Sequence, residues 1–236
     1  MKKHPLLNAL LLSAITLSAF GENQSTNAPV SIASAVDAKS DADVEKKTAA
    51  LMDSFTLEDS AKAARVKEIL RKHLKSVRDW HNEHPANTVP AGINPTTGKT
   101  LSELDREVIA DSAMPKSVHE NLMTGLRKNL NAEQVEAILD KYTVGKVAFT
   151  MKGYQAIVPD MTKEEEATIL AQLQQAREEA VDYKNMNEIS AIFKIHKTRI
   201  EQYLNANGRN WKVIYKAYVD SLKAKKSGGN TPAIEP

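Results

Sequence analysis

The chain has no cysteine among its 236 residues, and aromatic residues make up only 5% of it. The missing thiols exclude disulfide bonds, thiolate zinc sites and thiol catalysis. Lysine and arginine number 32 against 30 acidic residues, so the basic footprint needed for non-specific nucleic-acid binding is lacking. A glycine-rich phosphate loop, an H-E-x-x-H motif, a nucleophile elbow and EF-hand spacing are also missing. We therefore predict no cofactor and no nucleic-acid partner.

The first 21 residues have the layout of a secretory signal peptide. Two lysines precede the apolar run of residues 5–20, and the small residues Ala19 and Gly21 precede a possible cleavage site. The run is short for a membrane helix, which needs ~20 predominantly apolar residues. Without a cysteine at the cut, a lipoprotein anchor is excluded. We predict a signal peptide over residues 1–21, export to the periplasm or the medium, and no stable membrane insertion after cleavage.

Helical signals dominate residues 44–223 and predict an all-α single domain of about six or seven helices. Residues 22–43 are rich in serine, alanine, asparagine and aspartate without sustained apolar periodicity, which predicts a flexible leader. Residues 224–236 contain glycine and proline and are predicted to form a disordered tail.

Capping residues mark several predicted helix starts. Thr56, followed three residues later by Asp59, predicts the start of a long helix that Pro85 ends. Further start signals are Ser102 with Asp105, Asn131, and Thr162 with Glu165.

Residues 143–159 (TVGKVAFTMKGYQAIVP) break this helical pattern. β-Branched, aromatic and basic residues alternate there between glycines and a proline, which predicts a short hairpin or an ordered loop. Functional groups concentrate on irregular segments that a rigid scaffold holds. Lys146, Lys152 and Tyr154 are therefore candidate ligand-binding residues, and the alternative is a structural hairpin that closes one end of the bundle.

The end of the long helix carries Trp80, His81 and His84. His81 and His84 lie at i and i+3 and share a helix face, so they could hold a divalent metal. A third ligand at helical spacing is missing, and cations near a helix C-terminus are stabilising without any metal. We therefore predict no metal site there and keep Trp80 and His84 as candidate ligand-binding residues.

Two other patterns favour structural roles. Trp211, Tyr215 and Tyr218 form one helical stripe, which could stack on sugar rings but more often packs into a core. Asp160 and the glutamates at positions 164–166 precede or open a helix, where negative charge favours the helix dipole.

The second half of the chain resembles a known family. Residues 142–208 carry YTVGK at 142–146, KGY at 152–154 followed by IVP at 157–159, and QAREEA at 175–180. These motifs are similar to those of an uncharacterised exported family of Bacteroidota and related bacteria, a domain of unknown function described as sugar-binding. The resemblance extends to the helices from about Val44 onward. It implies export, a helical domain and a role in polysaccharide use, and it supplies no catalytic residues.

The leading hypothesis is an exported carbohydrate-binding or accessory protein that holds an oligosaccharide or polysaccharide fragment. Tyr154 would stack on a sugar ring, while basic side chains would contact hydroxyl or uronate oxygens. The hypothesis requires one concave pocket shared by Lys146, Lys152, Tyr154, Arg177, Trp80 and His84.

Two alternatives remain open. The first is a periplasmic glycosidase or lyase acting on pectic-type oligosaccharides, with Lys146, Lys152, Tyr154, His81 or Asp160 as acid–base groups. The second is an envelope helical protein that binds a protein partner, which predicts a wide exposed apolar patch and no closed pocket. The sequence does not decide the oligomeric state.

Overall fold

The computed structural model describes residues 32–228 of the chain, apart from Thr96. This part contains nine α-helices and no β-strand, which confirms the predicted all-α class. A short 3-10 helix (Ala86–Thr88) follows Pro85, the residue predicted to end the long helix. The helices are α1 (Ile32–Met52), α2 (Ser60–Glu83), α3 (Glu103–Ser112), α4 (Lys116–Asn129), α5 (Ala132–Tyr142), α6 (Lys146–Ile157), α7 (Lys163–Ala180), α8 (Met186–Ala206) and α9 (Trp211–Gly228).

Side-chain caps explain where several helices begin. Ser102, Asn131 and Thr162 each accept the backbone N–H of the third residue of the helix that follows, as predicted. Helix α2 differs, because Asp59 rather than Thr56 is its N-cap and accepts an N–H of the first turn. A carboxylate at this position both satisfies a free N–H and faces the positive end of the helix dipole.

Helix α1 begins inside the segment predicted to be a flexible leader, so that prediction is wrong for residues 32–43. The helix packs along α2 and buries Val44, Thr48 and Leu51 on one face. Among residues 40–52, Val44 is the first buried position, and the helix extends toward its N-terminus beyond this packed face. Once packing has formed one part of a helix, each added residue gains a hydrogen bond without a new nucleation cost.

The C-terminal helix extends further than the sequence predicted. Helix α9 continues to Gly228, so the predicted disordered tail is wrong for residues 224–228. The predicted signal peptide, residues 1–21, and the rest of the tail lie outside the described residues.

Residues 143–159 form helix α6 and its flanks, so the predicted hairpin or ordered loop is wrong. Positions 147, 151, 154 and 158 are buried at helical spacing, which places one apolar face of α6 against the core. Val144 and Gly145 have positive φ values of 54° and 66°, and they turn the chain tightly from α5 into α6. The preference of β-branched residues for strands is weak, and here tertiary packing overrides it.

Two hydrophobic clusters hold the helices together. One joins α6, α7 and α8 around Ile169, Leu173 and Ile200, which are fully buried. The other joins α2, α4 and α5 around Leu70 and Leu126. No helix in the described part of the chain is both long and apolar enough to cross a membrane.

Candidate functional site

A cleft with a volume of about 930 Å³ lies between the two helical groups. The end of α3 and the start of α4 form one wall, α7 forms the other, and α8 contributes His196 and Arg199. Its lining contains six carboxylates, three glutamines and two histidines, against three lysine or arginine side chains. Most ligand pockets of this size are lined mainly by apolar side chains, so this cleft suits a polar ligand.

A chain of hydrogen bonds runs from the cleft wall into the protein interior. His119 Nδ1 lies 2.7 Å from one oxygen of Asp182, and His73 Nε2 lies 2.9 Å from the other. Because a carboxylate only accepts, both of these nitrogens are assigned protons. His73 Nδ1 contacts the hydroxyl of the partly buried Tyr142 at 3.0 Å. One carboxylate therefore orients two histidines, and His119 is the one that reaches the cleft.

Within this series of hydrogen bonds, His119 and Asp182 each stabilise the charged form of the other. Burial alone would raise the pKa of Asp182, but the hydrogen bonds from His119 and His73 outweigh it and hold that pKa below its ordinary value. The same hydrogen bond to Asp182 raises the pKa of His119 above its ordinary value of 6.5. The structure thus favours a charged histidine–aspartate pair at the cleft wall.

Other ionisable side chains of the cleft are also held in pairs. His196 Nε2 lies 2.9 Å from a Glu179 carboxylate oxygen. Arg177 is buried and donates to Glu136 and, at 2.6 Å, to Asp140. Burial lowers the pKa of Arg177, but these two ion pairs outweigh it and raise the pKa overall. The positive charge of this arginine is therefore already compensated inside the protein.

A second histidine–carboxylate cluster lies next to the cleft. His81 Nδ1 is 2.9 Å from Asp111 Oδ2 and 3.3 Å from Glu188 Oε1. Asp111 also lines the cleft, and its Oδ1 is buried without a hydrogen-bond partner. Burial raises the pKa of Glu188 above its ordinary value. A nitrogen and two carboxylates at this separation form a donor set that suits a divalent transition metal.

The residues predicted to form one site do not converge. Of the six, only Arg177 lines the cleft. Trp80 stacks on His84 at 3.7 Å between ring centroids, and its Nε1–H donates to the Ala110 carbonyl, so both rings support the α2–α3 junction. The shared pocket that the sequence predicted is not formed.

The three candidates on α6 also serve other purposes. Tyr154 is only 3% exposed and packs against Trp211, with ring centroids 5.4 Å apart. The ammonium of Lys146 lies 5.8 Å from the centroid of the Phe193 ring. Lys152 is exposed on the helix surface. Tyr154 is therefore a core residue and is not available for stacking on a sugar.

The aromatic stripe of α9 is only partly buried, whereas the acidic segment at the start of α7 has the structural role that was predicted. Trp211 packs on the core, whereas Tyr215, in the same stripe, is 48% exposed. In the acidic segment, Glu165 completes the Thr162 capping box and pairs with Arg209 at 2.7 Å. The hydrogen bond from Arg209 lowers the pKa of Glu165 to about 2, which agrees with a structural role.

Sequence reasoning missed the groups that the cleft brings together, chiefly His119, Asp182 and His196. One usable signal existed, because His73 occupies a helical stripe between Leu70 and Val77, both of which are buried. A polar side chain at such a position requires a buried partner. The identity of that partner was not readable from local spacing.

The fold and the cleft define an all-α domain with a polar, histidine-rich cleft between its helical groups. Residues 41–224 match the family described as Protein of unknown function (DUF3826), and the chain belongs to that family. The match includes both walls of the cleft and all three residues of the His81 cluster. No curated protein shows a significant match to the chain.

Proposed function

We propose that this protein binds a carbohydrate, as an oligosaccharide or a polysaccharide fragment, in the cleft between α4 and α7. The observation that carries this proposal is the lining, in which amides, histidines and carboxylates offer donors and acceptors side by side. Every sugar hydroxyl is both a donor and an acceptor, so such a lining can satisfy it. The resemblance to a family described as sugar-binding supports the same ligand class.

The charges of the cleft favour a neutral sugar over a uronate. Carboxylates outnumber lysine and arginine six to three in the lining. Arg177, the basic group predicted to contact a uronate, already has two carboxylate partners. An added carboxylate would therefore meet more acidic than basic side chains in the lining.

The test is a calorimetric titration against a panel of neutral hemicellulosic and acidic pectic oligosaccharides. We expect heat of binding with neutral members and weaker or no binding with uronate-rich members. No binding to any member at millimolar ligand would contradict the proposal.

A specific observation also favours a second function, a glycosidase or lyase. His119 is 28% exposed at the cleft wall, and Asp182 orients it from behind, which is the arrangement of a general acid or base. In a glycosidase, His119 would donate its proton to the glycosidic oxygen as the bond to the sugar breaks, while water adds to the anomeric carbon and gives its proton to a carboxylate of the lining. Incubation with polysaccharide digests should then produce new reducing ends with the wild type and none with His119→Gln.

We further propose that the protein acts in the periplasm or outside the cell. The support is the signal-peptide pattern of residues 1–21, which lie outside the described residues. Expression of the full chain followed by N-terminal sequencing should find a mature start at Glu22. An intact N-terminus in a cytosolic fraction would contradict export.

A further inference from the structure

We propose that His81, Asp111 and Glu188 form a binding site for a divalent first-row transition-metal ion such as Zn²⁺. The three residues come from α2, α3 and α8, and one ligand atom of each lies within 4.8 Å of the others. Two ligands bound tetrahedrally at ~2.1 Å from zinc stand about 3.4 Å apart. The observed separations of 2.9 and 3.3 Å from His81 Nδ1 to the two carboxylates need only a small expansion.

The Asp111 carboxylate is the observation that points most directly to a bound ion. Asp111 is 5% exposed, and its Oδ1 has no hydrogen-bond partner, although Oδ2 contacts His81. Buried polar atoms in folded proteins are nearly always paired. A metal ion bound by this carboxylate would give Oδ1 a partner.

The acidic composition of the cluster also favours a bound cation. Within the described part of the chain, His81 is the only basic side chain within ion-pair distance of either Asp111 or Glu188. The cluster therefore places two carboxyl groups around one histidine at largely buried positions. Buried charges require compensation, and a divalent cation would supply two positive charges at the centre of the cluster.

Surrounding groups already hold the ligands in place. Glu188 accepts the backbone N–H of Lys184 at 2.9 Å and the side-chain amide of Asn185 at 2.6 Å. Such outer hydrogen bonds orient the ligands of metal sites. Asp111 lies on the cleft lining and His81 is 18% exposed, so an ion can enter from the cleft side.

The donor set selects the kind of ion. One imidazole nitrogen with two carboxylates suits zinc or manganese, whereas Ca²⁺ takes six to eight oxygen ligands. Three protein ligands also leave a coordination position for water or another molecule, as in catalytic rather than structural zinc sites. The position beside the Asp111 wall would make that molecule accessible from the cleft.

The test is metal uptake by the full chain without any sugar. Protein stripped with a chelator is dialysed against Zn²⁺, Mn²⁺, Ca²⁺ or Mg²⁺, and bound metal is measured by mass spectrometry alongside the melting temperature. We expect one Zn²⁺ per chain with a raised Tm, weaker uptake of Mn²⁺, and no stoichiometric uptake of Ca²⁺ or Mg²⁺. Failure of the wild type to take up either Zn²⁺ or Mn²⁺ would overturn the proposal.

Variants show whether the bound ion lies in this cluster. His81→Gln and Asp111→Asn should each lose stoichiometric uptake and the rise in Tm. His196→Gln is the matched control, because it also removes a buried histidine paired with a carboxylate, and it should keep both. If Asp111→Asn does not fold by circular dichroism, the variant of the partly exposed His81 still decides the question. Unchanged uptake by His81→Gln would place the ion elsewhere and overturn the assignment, whatever the sugar titrations show.

Discussion

Helix α6 and the cleft beside α7 use polar and aromatic side chains in opposite ways. On α6 the aromatic Tyr154 is buried in the core, and Lys152 stays in solvent. In the cleft, histidines are held at short distances by carboxylates from distant parts of the chain, as His119 on α4 is by Asp182 in the turn after α7. The motifs that carry the family resemblance on α6 thus serve packing, whereas the paired polar groups indicate a site, because burying them is costly without a purpose.

Truncating the core residue of α6 is expected to have the largest effect on stability. Tyr154→Ala should lower the free energy of unfolding by about 3–5 kcal/mol, the usual cost of removing a buried aromatic side chain. Urea unfolding followed by circular dichroism measures the change. Tyr154→Phe is the control and should cost much less, since the hydroxyl makes only a long contact of 3.5 Å to the Lys197 carbonyl. A near-neutral Tyr154→Ala would mean that α6 is not a packing element.

Removing the charge at the centre of the cleft network should cost somewhat less. Asp182→Asn leaves two histidines without their shared carboxylate and should lower the free energy of unfolding by on the order of 3 kcal/mol. Asp160→Asn is the matched control, because its side chain is 78% exposed in its pair with Arg209, and such pairs contribute ~1 kcal/mol or less. Equal effects of the two changes would contradict the distinct role of Asp182.

The same pair predicts how stability depends on pH. His119 has a raised pKa, so its contribution is complete below the unfolded value of 6.5 and is lost as pH rises through its folded pKa. Asp182 has a lowered pKa, so its contribution is present above the unfolded value of 3.8 and is lost as pH falls through its folded pKa. The pair therefore stabilises most between these two ordinary values.

Urea unfolding across that pH range measures the dependence, and an NMR titration of His119 reports its pKa directly. In Asp182→Asn the pKa of His119 should fall, and the loss of stability above pH ~6.5 should flatten. An unshifted His119 pKa in this variant would break the proposed link between the two residues.

Helix positions were largely readable from the sequence because their signals are local. Ser102, Asn131 and Thr162 cap the helices they were predicted to cap. The prediction for residues 143–159 was wrong because the strand preference of β-branched residues is weak compared with tertiary packing. The buried positions of this helix could be identified only from the core around Tyr154.

The cleft could not be predicted in the same way. His119 and Asp182 are 63 positions apart in the chain, and His73 and Asp182 are 109 apart. Such pairs depend on how helices pack and leave no periodic pattern at either end. The buried position of His73 indicated that a partner must exist, but the fold was needed to identify Asp182.

The most direct test of the cleft as the ligand site compares two exposed helix positions in one titration. Gln175 lines the cleft on α7, and Lys152 is exposed on α6; alanine at either position should leave the helix intact. We expect Gln175→Ala to weaken binding of a neutral oligosaccharide by about fivefold, the value of one hydrogen bond, and Lys152→Ala to leave it unchanged. Weaker binding by Lys152→Ala together with unchanged binding by Gln175→Ala would contradict the proposal that the cleft binds the ligand and would instead indicate a site on α6.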